Sequence, residues 1–337
     1  MIVDQLKSHR TDVDVKNRAM FIDDAFAPTS ASMDMSQVRA MRTTEYLDDE
    51  TEYIPWKTAL TCMDNVDLML SRDATNADLF STYMLNRTDL LYNTYGWHVS
   101  EDQTDHLLTN LRIEATSTAC KYSNTECLAE ALLEFQQWQE SVTAGTQNPI
   151  AVDYRSIVYC NGIKAGSDLE WQLTWDTFVD NKSPQDRSNL LYGLSCSTEE
   201  DILNKNLELA LNDANLENKD DAYRMMYYTA LNFAGRDLTW EFVQTNFIAI
   251  NKRIEQARLD SVVTAITTGF NTDTELEDVK KFRENPGAVD SEFKEMWDAA
   301  EERVEANIVY MANNEAELVQ WLTDINAGTR DAFGNVL

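Results

Sequence analysis

The chain has 337 residues, 43% of them hydrophobic and 10% aromatic, which suits a substantial buried core and not a disordered chain. Its 58 acidic side chains outnumber the 28 basic ones and leave a formal charge of −30, which excludes a surface that neutralises nucleic-acid phosphates. Ten glycines and five prolines fall far below the roughly 12% of ordinary proteins, so neither a turn-rich sheet protein nor a glycine-rich nucleotide fold is expected.

Taken in chain order, the apolar spacing is helical nearly everywhere. Val15, Arg18, Ala19, Ile22, Ala25 and Phe26 fall on one stripe, and Pro55 opens a second segment with Trp56, Ala59, Leu60, Met63 and Leu70. Leu79, Phe80, Tyr83, Met84, Leu90 and Leu91 mark a third. A fourth carries Leu107, Leu108, Leu111 and Ala115, behind a Ser100 and Gln103 pair that reads as a capping box. Leu128, Ala131, Leu132, Phe135 and Trp138 follow. Ser183-Pro184, and Ser197 with Glu200, open further helices. Trp240 to Ile254 and Trp297 to Met311 carry long stripes, and Leu318, Trp321 and Leu322 read as a separate last helix. Breaks are predicted near Gly96, Gly145, Gly162 to Gly166, Gly193, Gly235, Gly269 and Pro286-Gly287.

Helices this short cannot each hide an apolar face alone, whereas antiparallel pairs stacked in a row can. The expected fold is therefore all-α. It is an α-solenoid of about sixteen helices, paired in the HEAT-like or armadillo-like manner, with a concave inner face suited to extended ligands. A compact many-helix bundle is the structural alternative.

The chemistry of known catalytic motifs is absent: there is no H-E-x-x-H, G-x-S-x-G or phosphate-loop G-K-[ST], and His9, His98 and His106 are scattered. His98 reads as a helix-end cap and His106 as a surface or packing residue. Acidic pairs such as Asp23-Asp24, Asp48-Asp49 and Asp220-Asp221 read as solvated faces, with Arg18 placed about a turn from Asp23 and Asp24 for a structural bridge. Four of the five cysteines, Cys120, Cys127, Cys160 and Cys196, cluster in the middle of the chain; spacing alone leaves open two disulfides or five buried thiols. Cys62 is the odd one and reads as a buried free thiol. Asn86-Arg87-Thr88 and Asn181-Lys182-Ser183 are glycosylation sequons, usable only on a secretory route. No apolar run is long enough to span a membrane, and MIVDQLKSHR lacks an apolar signal core. The chain is thus read as cytoplasmic or as separated from its targeting part.

Several stretches fall together in a familiar order. NRAMFIDDAF (17–26), EYLDDETEYIPWKTAL (45–60), the cysteines at 120 and 127, RSIVYCNGI (155–163), LSC (194–196), GRDLTWEFVQTNF (235–247) and VQWL (319–322) recur at compatible distances. The chain resembles the C-terminal helical domain of the zinc aminopeptidases of the aminopeptidase N type, including the endoplasmic reticulum enzymes, over about residues 1–325, with 326–337 as a tail.

The resemblance implies a helical superhelix that encloses a peptide and gates access to a zinc site where N-terminal residues are removed. It implies disulfides Cys120–Cys127 and Cys160–Cys196, with Cys62 left over. It implies an extracellular or lumenal setting for a membrane-anchored parent. Zinc, its ligands and the residues that hold the substrate amine belong to a catalytic domain that has no counterpart in this sequence, so no cofactor and no catalytic residue are expected here. The expected partners are that upstream catalytic domain and peptides, with self-association through the surface the catalytic domain would cover. Arg155 and Tyr159, i and i+4 on one helix, are candidates for peptide or domain contact, with a structural ion pair as the plainer role. Arg18, Asp23, Asp24 and Trp56 are expected to be structural. The alternative to a gating domain is a stand-alone helical scaffold that binds a peptide or protein.

Overall fold

The structure is a computed structural model that describes residues 2–30, 36–97, 105–212, 214–216, 218–285 and 291–328. Among these residues there are sixteen α-helices and no β-strand. In order they are α1 (Ile2–His9), α2 (Val15–Ser30), α3 (Gln37–Arg42), α4 (Tyr53–Leu70), α5 (Ala74–Tyr95), α6 (His106–Lys121), α7 (Thr125–Ala144) and α8 (Arg155–Ala165). The series continues with α9 (Asp168–Asp180), α10 (Pro184–Leu194), α11 (Glu200–Asn212), α12 (Lys219–Leu231), α13 (Phe233–Ile254), α14 (Gln256–Thr268), α15 (Asp273–Arg283) and α16 (Lys294–Asn326).

Polar side chains start many of these helices by accepting backbone N–H groups that have no partner within the helix. Asp73 caps α5 and Asn232 caps α13. Ser167 with Glu170, and Thr272 with Glu275, form reciprocal capping boxes at α9 and α15. At α6 the cap is Asp105, which accepts from the backbone N–H groups of Leu107 and Leu108. The Ser100 and Gln103 pair, His98 and Pro286-Gly287 lie outside the described residues.

The chain divides into two compact units, residues 1–127 with 308–337, and residues 128–307. In the first, Ile22 and Phe26 of α2, Trp56 and Met63 of α4, Phe80 and Tyr83 of α5, and Leu111 of α6 share one buried core. Leu318, Trp321 and Leu322 belong to that core, and the Trp321 ring lies 5.1 Å from that of Tyr83. These three residues are not on a separate helix: α16 runs unbroken from Lys294 to Asn326.

In the second unit α8, α9 and α10 pack in succession, as do α11, α12, α13 and α14, and alternate helices also pack on one another. Helices α8, α10, α12 and α14 touch in sequence, while α9, α11 and α13 fill the other side. This stacking of helix pairs is the solenoid pattern.

The predicted breaks near Gly162 to Gly166, Gly193 and Gly235 are present, at Gly166, after Leu194 and at Asn232, yet three of the glycines themselves are helical. Gly162 lies inside α8, Gly193 in the last turn of α10 and Gly235 in the first turn of α13. Glycine stands there because helices come too close for a side chain. A Cβ on Gly162 would lie 2.2 Å from the Phe135 ring, and one on Gly193 would lie 2.6 Å from Tyr159 Cβ. Gly162→Ala therefore tests packing against propensity. Alanine gains about 1 kcal/mol in a helix interior, but overpacking against a rigid buried ring costs about 1–3 kcal/mol. The expected outcome is net destabilisation in urea unfolding; a stabilised variant would show that α7 and α8 are further apart.

Candidate functional site

The stacked layer of the second unit is pinned by buried charge. Asp186, at the start of α10, is almost fully buried. Its Oδ1 lies 3.1 Å from Arg155 Nη1 and accepts the Tyr159 hydroxyl at 3.4 Å. Its Oδ2 accepts Asn181 Nδ2 at 2.8 Å. Asn148 Nδ2 donates to the Tyr159 oxygen at 2.7 Å. Burial, and then the Asp186 charge, push the Tyr159 phenol above its ordinary range and keep it a neutral donor. The ion pair expected as the plainer role of Arg155 is present, and Tyr159 beside it is wholly buried.

One step along the layer, Arg187 of α10 binds Asp221 of α12 at 2.7 Å, donates to the Phe178 carbonyl at 2.8 Å and stacks 4.0 Å from the centre of the Phe178 ring. Asp221 of the Asp220-Asp221 pair is therefore buried and paired, not solvated. The Cys160–Cys196 disulfide ties α8 to the residues that follow α10.

Helices α10 and α12 also carry a row of partly exposed tyrosines. Tyr192 of α10 meets Tyr228 of α12 edge to face at 5.5 Å, Tyr228 meets Tyr227 at 5.9 Å, and Tyr227 meets Tyr223 at 5.4 Å. Arg258 of α14 lies over Tyr223 at 5.6 Å. Ser188 Oγ and Tyr228 OH are hydrogen-bonded at 3.2 Å. Each ring presents an apolar face and a polar tip, the combination that accepts chain segments of mixed character. Rings already held by their neighbours lose little freedom on binding. The row crosses two helices, with Arg258 of a third at its end, and was missed in the sequence. Its one local signal is the spacing of Tyr223, Tyr227 and Tyr228 on a single turn-and-a-half of helix.

The other predicted site residues have plain surroundings. Arg18 does not bridge to Asp23 or Asp24, which are exposed on α2. It points inward and binds Glu50 through two nitrogens, at 2.7 and 3.1 Å. Trp56 is wholly buried and donates from Nε1 to the Glu50 carbonyl at 2.8 Å. Cys120 is joined to Cys127, and Cys62 is a half-buried free thiol. His106, the first residue of α6, is exposed. Asn86 is exposed on α5, whereas Asn181 donates its Nδ2 to Asp186. Among the described residues no group of three or more His, Cys, Asp or Glu side chains is arranged to hold a metal ion, and no helix is long and apolar enough to cross a membrane.

Comparison with known proteins gives a consistent set of relatives. The family described as the ERAP1-like C-terminal domain matches residues 1–306. The thyrotropin-releasing hormone-degrading ectoenzyme of Homo sapiens is 30% identical over 329 residues, covering 96% of this chain and 30% of that protein. Aminopeptidase N of Canis lupus familiaris is 30% identical, covering 95% of this chain and 33% of that protein. Glutamyl aminopeptidase of Bos taurus is 28% identical, with 96% and 33% covered. The chain spans about a third of the length of these relatives.

Proposed function

Because the chain belongs to the ERAP1-like C-terminal domain family, we propose that it is the noncatalytic helical part of a zinc aminopeptidase, enclosing a peptide while an upstream catalytic domain removes its N-terminal residues. The match over most of the chain carries this reading. The tyrosine row on α10 and α12 supports it, as a surface on which a peptide lies without sequence-specific contacts. Zinc would sit in the catalytic domain, where it activates the attacking water. The proposed setting is a secretory lumen or the cell exterior, under a membrane-anchored parent. Two disulfides suit an oxidising compartment. Asn86 is the more accessible of the two glycan acceptors.

The test uses the complete protein. Tyr192→Ala with Tyr228→Ala is expected to raise KM for peptides of eight to ten residues about tenfold, the size of one or two lost aromatic contacts. Hydrolysis of an aminoacyl-naphthylamide, too short to reach the row, stays within twofold. Equal losses on both substrates would overturn the peptide-facing role. The isolated chain, given zinc and the same naphthylamide, is expected to show no turnover; turnover proportional to pure chain would overturn the noncatalytic role.

A further inference from the structure

Helices α11 and α13, in the other layer of the second unit, leave a groove of about 480 Å³ between them. Its floor is apolar, formed by Leu211, Leu238 and Phe242, and its rim carries Glu200, Glu208 and Glu241. All three glutamates are exposed, and none is ion-paired among the described residues. Other groups of this unit, carboxylates and backbone carbonyls, hold the nearby cations. Lys205 of α11 turns to Asp168 and the Trp171 ring, Arg253 of α13 donates to the Ala210 and Leu216 carbonyls, and Lys219 binds Glu255. At the groove, α13 departs from helical geometry at Asn246.

We propose that this groove docks an extended basic segment of a partner protein. Charge complementarity selects the occupant. A second copy of this chain, −30 overall, would add carboxylates to a rim that already carries three, where a basic segment would neutralise them. An apolar strand without cations leaves the three glutamates facing nothing. Glu200 and Glu208 are eight residues apart on one helix, about 12 Å along its axis. An extended chain rises about 3.3 Å per residue, so basic residues four positions apart span that distance, with an apolar side chain between them directed to the floor. The groove is separate from the tyrosine row, so the two surfaces stand or fall independently.

The probe is a fluorescein-labelled pentapeptide, Lys-Ala-Leu-Ala-Lys, titrated with the whole chain by fluorescence anisotropy at low and high salt. Saturable binding that weakens with salt is expected. Glu208→Lys with Glu241→Lys should weaken it at least tenfold, and Phe242→Ser at least threefold, with circular dichroism melts confirming folded variants. Asp23→Lys with Asp24→Lys, an equal change in net charge on the exposed face of α2, should stay within twofold. The proposal is overturned if the two charge-reversed pairs lose affinity equally, if Glu-Ala-Leu-Ala-Glu binds as well as the basic peptide, or if the basic peptide does not bind at millimolar chain. It is also overturned if the chain dimerises and Glu208→Lys dissolves the dimer.

Discussion

Arg18→Met is expected to destabilise the chain by about 3–5 kcal/mol, the cost of breaking a buried ion pair from one side. The Glu50 side chain is completely buried and that of Arg18 is 5% exposed, so removing the guanidinium leaves a carboxylate without charge compensation or water. Two further donors, the backbone N–H groups of Thr51 and Glu52, hold Glu50 Oε1 in place and cannot neutralise it. Arg18 also donates to the Arg10 and Val13 carbonyls, so the loss reaches the segment before α2. Arg18→Met with Glu50→Leu removes both charges and is expected to recover at least half of the loss. Urea unfolding followed by tryptophan fluorescence measures both variants. A single variant within 1 kcal/mol of the parent would mean that water reaches Glu50.

Loss of the Cys160–Cys196 disulfide is expected to cost more than loss of Cys120–Cys127. The two bridges close sequence separations of 36 and 7 residues. Constraint of the unfolded chain then amounts to about 3.8 and 2.4 kcal/mol respectively. Paired Cys→Ala variants, melted without reductant, measure the order; the reverse order would locate the larger effect in native packing. Thiol titration gives an independent check. Burial, with the charges of Asp23 and Asp64, pushes the Cys62 thiol up to about 11. It therefore stays protonated and reacts slowly with disulfide reagents at pH 8, faster as pH rises toward 11. The shift favours the folded chain below the unfolded thiol's pKa, and this contribution fades as pH rises from there through 11. In non-reducing denaturant one thiol per chain should react; five would remove both bridges and with them the argument for an oxidising compartment.

Most of the helices were legible because an apolar stripe is local information. Ile22 and Phe26, or Val243, Phe247, Ile250 and Ile254, fall on one side of a helix whatever surrounds it. The packing role of a glycine inside a helix was not legible, for the opposite reason. Gly162 reads as punctuation in a single chain, and only the Phe135 ring 2.2 Å from its missing Cβ shows that it marks a close crossing. The gap assumed before Leu318 is likewise filled by one helix of 33 residues, because no residue there breaks the backbone hydrogen-bond ladder.

The pairing of charges was not legible. Asp23 and Asp24 are the nearest carboxylates to Arg18 along the helix, yet Glu50 takes it from 32 residues away. Asp186, unremarked in the sequence, gathers Arg155, Tyr159 and Asn181. Tyr192 and Tyr228, 36 positions apart, meet only because α10 packs on α12. By itself the sequence determined the helical class, the pairing of helices and, through resemblance, the family. The tertiary structure alone decided which side chains meet. Helix periodicity is set by neighbours three and four residues away. Charge and ring partners are chosen by which groups packing strips of water together, and that depends on distances between helices that no short stretch of sequence encodes.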